Sequence, residues 1–224
     1  EQIVKNTDNP VIMAWNSGSN AGKCDIMPTE ENFIGLDYVA PMLWCSIYDS
    51  RDALINFFAE DEPIAFATGA SYNRDIFDQL ALELGKPMKI ITYKNSGSAL
   101  QGFLGGDADY IFTNLGKATK IVNGGHGECF LSSGTTAINQ VPQMSSLMPS
   151  HKYSFLQQNA FVIGANLDEK MLKALVEDFD AIYESPAFNE YISNNNFTHL
   201  QLPREDAIQV SRAGAYLWGR PLDK

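Results

Sequence analysis

Apolar runs alternate with amphipathic helical patterns along most of the chain, which is typical of α/β proteins. The clearest stretch lies between residues 63 and 125, where a strand twice leads into a turn of small residues that opens a helix. The first copy is PIAFATGASYNRDIFDQLALELG, the second is IITYKNSGSALQGFLGG, and the strand DADYIFTN follows. Such turns place free N–H groups of a helix's first turn at the C-terminal edge of a sheet, where they hold anions. The pattern therefore predicts a site for a small anionic ligand.

The same pattern predicts further strands and helices on both sides of this doubled unit. Pro41, inside an extended run, indicates an edge, a bend or a change of strand partner. Asn166 followed by Glu169 predicts a capping box at the start of the most regular helix. The predicted strands are 11–15, 38–48, 130–133 and 155–164, and the predicted helices are 50–59, 115–122, 166–183, 187–194 and 203–218.

Two long extended segments, near 41–48 and 155–164, bracket the doubled unit. This arrangement predicts an inner lobe, 49–155, inserted into an outer lobe made of 1–48 and 156–224. The predicted fold class is therefore α/β and two-lobed, with an inter-lobe cleft. Ligand sites favour such clefts, and hinged closure is the expected motion.

Composition excludes several classes of function. The 224 residues include 16 basic and 27 acidic side chains, for a formal net charge of −11. This charge argues against a broad electrostatic surface for nucleic acid or anionic lipid. No apolar run approaches the roughly 18 residues of a membrane span, so direct membrane insertion is not expected. An anionic ligand would have to be held by local dipoles.

The cysteines and histidines offer little chemistry. An odd count of three cysteines leaves at least one thiol unpaired within the chain, and the alternatives are a Cys24–Cys45 bridge or three buried thiols. His126 and Cys129 form an H-x-x-C spacing, but a zinc site needs further ligands and the other histidines have no matching spacing. No phosphate-binding, nucleophile-elbow or dinucleotide motif occurs. We therefore predict no catalytic residue, no metal and no cofactor.

The candidate ligand contacts lie where strands end and helices begin. In TGASYN and in NSGS the small residues expose backbone N–H groups, although a strand-to-helix turn needs glycine and a capping residue in any case. Lys94 is either a helper for a bound carboxylate or a solvated strand-end charge. Asp107 and Asp109 are better explained as a turn residue and a loop anchor than as a catalytic pair. The predicted ligand-binding residues are Thr68, Gly69, Ala70, Ser71, Tyr72, Asn95, Ser96, Gly97, Ser98, Thr113 and Asn114.

In the order of its strands, turns and helices, the segment 63–125 resembles the periplasmic substrate-binding receptors of tripartite tricarboxylate transporters. Members place a "tyrosine, lysine, glycine" turn before a helix and a "glycine, acid, small, aspartate" element after it. Tyr93 and Lys94 match the first element and Asp109 matches the aspartate of the second, whereas Asn95-Ser96-Gly97 replaces the usual glycine after lysine. Weaker similarity extends over nearly the whole chain.

The resemblance implies a two-lobed α/β fold similar to that of the periplasmic binding proteins. It implies a receptor that captures a small mono-, di- or tricarboxylate between two lobes, without chemistry, and delivers it to membrane transporter subunits. It also implies a periplasmic location, with the signal peptide not present in this chain. Members begin with an additional strand, turn and helix that this chain apparently lacks, so we expect a trimmed fragment or a shortened relative. The alternative is an effector-sensing or interaction module on the same fold, and a more distant one is an enzyme that uses His126 and Cys129.

Overall fold

Strands and helices alternate through the residues that the computed structural model describes, which are 12–16, 27–59, 63–69, 74–134, 140–147, 156–163 and 167–217. The strands are β1 Ile12–Asn16, β2 Phe33–Ser46, β3 Ile64–Thr68, β4 Met88–Thr92, β5 Tyr110–Asn114, β6 Glu128–Ser132 and β7 Leu156–Ile163. The helices are α1 Ser50–Ala59, α2 Arg74–Leu84, α3 Ser96–Leu104, α4 Leu115–Asn123, α5 Met144–Leu147, α6 Glu169–Tyr183, α7 Pro186–Asn194 and α8 Arg204–Leu217. Within these ranges no helix has the length and apolar character needed to cross a membrane.

The chain divides into two compact units, one of Glu1–Ala40 with Gln157–Lys224 and the other of Pro41–Leu156. In the first unit, β7 lies between β1 and β2, and β1 runs antiparallel to β7. From Met42 onward, β2 pairs instead with β5 and β6, both antiparallel. Pro41 therefore marks a change of strand partner, one of the three outcomes that the sequence left open.

The second unit contains a parallel trio of strands in the order β5, β3, β4. Parallel strands are usually covered on both faces, and this trio is. One face carries aromatic rings in mutual contact, with Phe66 of β3 4.9 Å from Phe77 of α2 and 6.2 Å from Phe57 of α1 between ring centroids. On the other face, a cluster that includes Ala67 and Ile111 packs against α3 and α4.

The helix that sequence periodicity marked most clearly, α6, differs from its prediction in two respects. Its N-cap is Asp168, whose carboxylate accepts a hydrogen bond from the N–H of Met171, so the predicted capping box of Asn166 and Glu169 is wrong. Asn166 itself lies outside the described residues. Although α6 carries an apolar stripe, Tyr183 is its one buried residue, and Met171 and Ile182 are 48% and 49% exposed.

A disulfide joins Cys45 of β2 to Cys129 of β6. The two residues are register partners on neighbouring antiparallel strands, with their Cα atoms 3.8 Å apart. Both expectations from the sequence, a Cys24–Cys45 bridge and three thiols, are therefore wrong. The pairing depends on which strands become neighbours, which cysteine spacing does not encode. Cys24 lies outside the described residues.

A small polar group lies in the apolar interior of the first unit. Asp37 on β2 is 6% exposed, and its carboxylate accepts a hydrogen bond of 2.8 Å from the side-chain amide of Asn159 on β7. The backbone carbonyl of Asp37 accepts a hydrogen bond of 2.7 Å from Nδ1 of His199. Burial raises the pKa of the Asp37 carboxyl, while the Asn159 hydrogen bond and the nearby His199 oppose that rise.

The Cys45–Cys129 bond should contribute strongly to stability because it closes a segment of 84 residues. We expect the Cys45→Ser/Cys129→Ser double variant to lose about 2–5 kcal/mol of unfolding free energy. Denaturant melts of the oxidised protein, the reduced protein and the double variant test this, and the last two should agree. Peptide mapping without reduction should recover Cys45 linked to Cys129. Recovery of Cys24 linked to Cys45 would contradict the assignment.

Asp37 should lower stability at neutral pH. Since its pKa in the folded state lies above the ordinary value of 3.8, folding favours the protonated form, and the associated stability is lost as the pH rises through the folded pKa. Asp37→Asn keeps an oxygen that accepts from Asn159 and removes the charge. We expect the variant to gain stability over the parent between about pH 4 and about pH 7 in urea melts. A stability difference between Asp37→Asn and the parent that does not change across this pH range would refute the prediction.

Candidate ligand-binding site

Three parallel strands of the second unit end at one edge of its sheet. Thr68 and Thr92 are register partners at the ends of β3 and β4, and Ala67 pairs with Ile111, three residues before the end of β5. The chain leaves β3 toward β4 on one side and then crosses to β5 on the other. Ligands of open α/β sheets bind at such switch points, outside the carboxyl ends of the strands.

The turns after β3 and β4 come into direct backbone contact. A Cβ atom added to Gly69 would lie 2.2 Å from both the N and the Cα of Ser96, the first residue of α3. A real Cβ does not approach backbone atoms this closely, so Gly69 fits only because it has no side chain. The contact fixes the N-terminus of α3 next to the end of β3.

The first turn of α3 has N–H groups available for an anion. The Asn95 side chain caps the helix by accepting from the N–H of Ser98 at 2.9 Å and from the Ser98 hydroxyl at 3.2 Å. The backbone oxygen of Asn95 accepts from the N–H of Ala99 at 3.0 Å. The first N–H groups of a helix have no acceptor within it, and those of Ser96 and Gly97 have none among the described residues, so they remain for a ligand or water. The first turn contains no acidic residue.

The N-terminus of α4 continues the same edge. Asn114 ends β5 and caps α4, with its side-chain oxygen 3.2 Å from the N–H of Lys117. Thr113 is 2% exposed, and its hydroxyl has no hydrogen-bond partner in the described part of the protein. A buried hydroxyl without a partner is costly, which favours a ligand contact.

Lys117 is a candidate that the sequence reasoning missed. It is half-buried in the first turn of α4, where a cation is unfavourable next to the positive end of the helix dipole. Burial lowers the pKa of its ammonium group, and the charge of Lys120 lowers it further. A bound anion would relieve both the dipole and the charge repulsion. The signal in the sequence is a lysine three residues after a strand-ending asparagine.

Tyr93 holds α3 in place from the other side. Its hydroxyl donates a 2.6 Å hydrogen bond to Asp107, and this bond raises the pKa of Tyr93 to about 12. The ring lies against Gly102, where an added Cβ would come 2.1 Å from the hydroxyl oxygen. Asp107 is thus the loop anchor, while the Asp109 carbonyl accepts from the Ser46 hydroxyl at 2.9 Å. The carboxylate of Asp107 and the backbone carbonyl of Asp109 therefore both make structural contacts.

The predicted site residues are distributed as follows. Gly69 and Ser96 are in contact, while Asn95 and Ser98 bind each other in the helix cap. The main-chain oxygen of Thr68 accepts from the N–H of Tyr93 at 2.8 Å. Ala70, Ser71 and Tyr72 lie outside the described residues.

The other residues considered for chemistry were the H-x-x-C pair of His126 and Cys129, and Lys94. The sulfur of Cys129 is bonded to Cys45, so it is not the free thiol that an H-x-x-C nucleophile or metal ligand requires. Over the described ranges, no group of three or more histidine, cysteine, aspartate or glutamate side chains is arranged to hold a metal ion. Lys94 is exposed at the strand end.

No family model and no curated protein matches the sequence. Several solved structures have a similar fold. The periplasmic binding protein BugD has a TM-score of 0.71 at 16% identity, covering 92% of this chain and 75% of that one. R. palustris Rpa4515, solved with adipate, has a TM-score of 0.74 at 11% identity, covering 97% and 78%. MatC (Rpa3494) from Rhodopseudomonas palustris, with bound malate, has a TM-score of 0.69 at 12% identity, covering 92% and 77%.

At these identities the likeness concerns the fold. The structural neighbours are binding proteins of the tripartite tricarboxylate transporter type, which agrees with the resemblance found in the sequence. The predicted fold class is confirmed: this chain has the α/β fold of the two-lobed periplasmic binding proteins.

Proposed function

We propose that this protein is an extracytoplasmic solute-binding receptor that captures a small carboxylate and delivers it to a membrane transporter, without chemistry. The observation that carries the proposal is the contact between Gly69 and Ser96, which brings two strand ends to one helix N-terminus. The carboxylate accepts hydrogen bonds from the N–H groups of Ser96 and Gly97. The hydroxyl of Thr113 and the ammonium group of Lys117 complete the set.

The electrostatics of the chain favour such local binding. With a net charge of −11, the protein does not attract an anion over long distances. Backbone N–H groups at a helix start act at short range and need no net positive charge. The absence of acids from the first turns of α3 and α4 is consistent with this arrangement.

Two further observations support the ligand class and the location. The structural neighbours Rpa4515 and MatC were solved with adipate and malate, which are dicarboxylates. The Cys45–Cys129 disulfide is stable in an oxidising compartment such as the periplasm. The proposal that the protein delivers its ligand to membrane transporter subunits rests on the similarity of its fold to these binding proteins.

Adipate, malate and citrate should stabilise the folded protein. A ligand that binds the native state adds RT ln(1 + [L]/Kd), about 2.7 kcal/mol at a free concentration of 100 Kd. Thermal shift and calorimetry against this panel, with the corresponding neutral alcohols (CH2OH in place of each carboxylate) as controls, measure the effect. Absence of any response to every acid would refute the proposal.

Thr113→Val separates binding from folding in the same assay. Because the hydroxyl has no partner among the described residues, its removal should leave the stability unchanged or higher, whereas carboxylate affinity should fall about tenfold. The matched control is Thr119→Val on α4, since the Thr119 hydroxyl donates to the Leu115 carbonyl of its own helix at 3.0 Å. Equal affinity for the two variants would exclude Thr113 from the site.

Gly69→Ala should disrupt the site through the backbone. The new Cβ would meet Ser96 at 2.2 Å, so the start of α3 must move. We expect a loss of about 1–3 kcal/mol in stability and of the carboxylate response. Gly116→Ala is the control, because its Cβ would lie 3.9 Å from the Asn114 side-chain oxygen, which is an ordinary van der Waals contact. If Gly69→Ala behaves like Gly116→Ala, the contact does not constrain α3.

A further inference from the structure

A separate cavity of about 500 Å³ lies wholly within the first unit. It is bounded by the start of β2, the end of α6, residues 199–203 and the start of α8. Its volume falls in the range of small-molecule sites, roughly 300–1,000 Å³. None of the residues considered above for the carboxylate site contributes to its lining.

Arg204, at the start of α8, presents an unused donor at this cavity. Its Nη2 donates to the Glu30 carbonyl at 2.9 Å, and its Nε lies 3.5 Å from the Glu30 carboxylate. The guanidinium carbon lies 5.6 Å from the centre of the Phe33 ring. These contacts hold one edge of the guanidinium group, while Nη1 is buried without a hydrogen-bond partner among the described residues.

Tyr183, at the end of α6, presents a second unused donor. The residue is 9% exposed, and its hydroxyl has no partner within the described ranges. The ring is held by His199 and Phe188, with centroid distances of 4.7 Å and 5.0 Å. A Cβ added to Gly35 would lie 2.7 Å from the hydroxyl oxygen, so the hydroxyl rests on the backbone of β2.

The side chains that carry the two donors lie against neighbouring positions of one strand, β2. Arg204 lies against Phe33 and Tyr183 lies against Gly35, and these two positions of β2 share a face because side chains alternate along a strand. Positions two apart on a strand are separated by about 6.5 Å. Arg204 and Tyr183 therefore line neighbouring parts of the cavity wall.

We propose that this cavity is a second binding site, for a small monocarboxylate with an apolar body. One carboxylate oxygen accepts from Nη1 of Arg204 and the other from the Tyr183 hydroxyl. The apolar body lies against the hydrophobic part of the lining, which comprises Phe33, Leu36, Val176, Leu202 and Ala207. The site does not depend on the carboxylate site proposed for the second unit.

The acidic residues of the lining select against a second carboxylate. Asp180 and Glu184 contribute to the wall from α6, and the C-terminal end of that helix carries a negative partial charge. A dicarboxylate that placed one group on Arg204 would bring the other toward this negative side. The cavity should therefore prefer a monoanion to a dianion of equal length.

The test compares hexanoate with adipate, which has the same chain length, and with hexanol, by calorimetry on the full chain. We expect hexanoate to bind, and Arg204→Gln to weaken this binding by roughly tenfold to a hundredfold. Tyr183→Phe keeps the ring and should weaken binding several-fold, which provides a second variant. Hexanol should bind less tightly than hexanoate.

The matched control is Arg212→Gln on the same helix. Arg212 donates to the Pro28 carbonyl at 3.3 Å and does not line the cavity, so its variant should bind hexanoate as the parent does. Thr113→Val should also leave hexanoate binding unchanged, which distinguishes this cavity from the other site. No binding of hexanoate, equal losses in Arg204→Gln and Arg212→Gln, or tighter binding of adipate through Arg204 would overturn the proposal. If the carboxylate panel showed no binding at the site that includes Thr113, the proposal for this cavity would still stand.

Discussion

The backbone contact between Gly69 and Ser96 is the constraint on which the candidate carboxylate site depends. It sets where α3 begins relative to the end of β3, and hence where the free N–H groups of that helix lie. A second contact restrains α3 further along, where the Tyr93 ring occupies the space beside Gly102 and Asp107 accepts from its hydroxyl. Two glycines thus allow close approach at two points of one helix. A helix held in this way presents its first turn in a defined position, as a preorganised site requires.

The support beneath the site comes from β2 and its disulfide. Cys45 and Cys129 belong to the same buried cluster as Phe103 of α3 and Ile121 of α4. The two helices whose first turns form the candidate site therefore pack on a region that is covalently cross-linked. On the opposite face of β2, Trp44 is fully buried with its ring 4.5 Å from that of Phe112. Both faces of this strand thus contribute to the core that positions the strand ends.

Most helices and strands were predictable from the sequence, whereas specific contacts between distant segments were not. The bounds of α1 agree with the prediction because its apolar face is encoded within ten consecutive residues. The pairing of Cys45 with Cys129 was missed because it depends on the register between β2 and β6. Lys117 was passed over because its significance lies in its burial, which periodicity does not reveal. The cavity at Arg204 was beyond sequence analysis, since it joins segments that are about 170 residues apart.

The two proposed sites differ in where their donors come from, and this difference determines what each would accept. At the sheet edge the donors are backbone N–H groups, and neither first turn carries an acid to repel further negative charge. At the cavity, Arg204 is already paired with Glu30, so its guanidinium group supplies a directed hydrogen bond more than a net positive charge. Asp180 and Glu184 then make the rest of that wall acidic. The number of carboxylates on a ligand, more than its length, should therefore decide which site it occupies. Each added negative charge is tolerated at the sheet edge and opposed at the cavity.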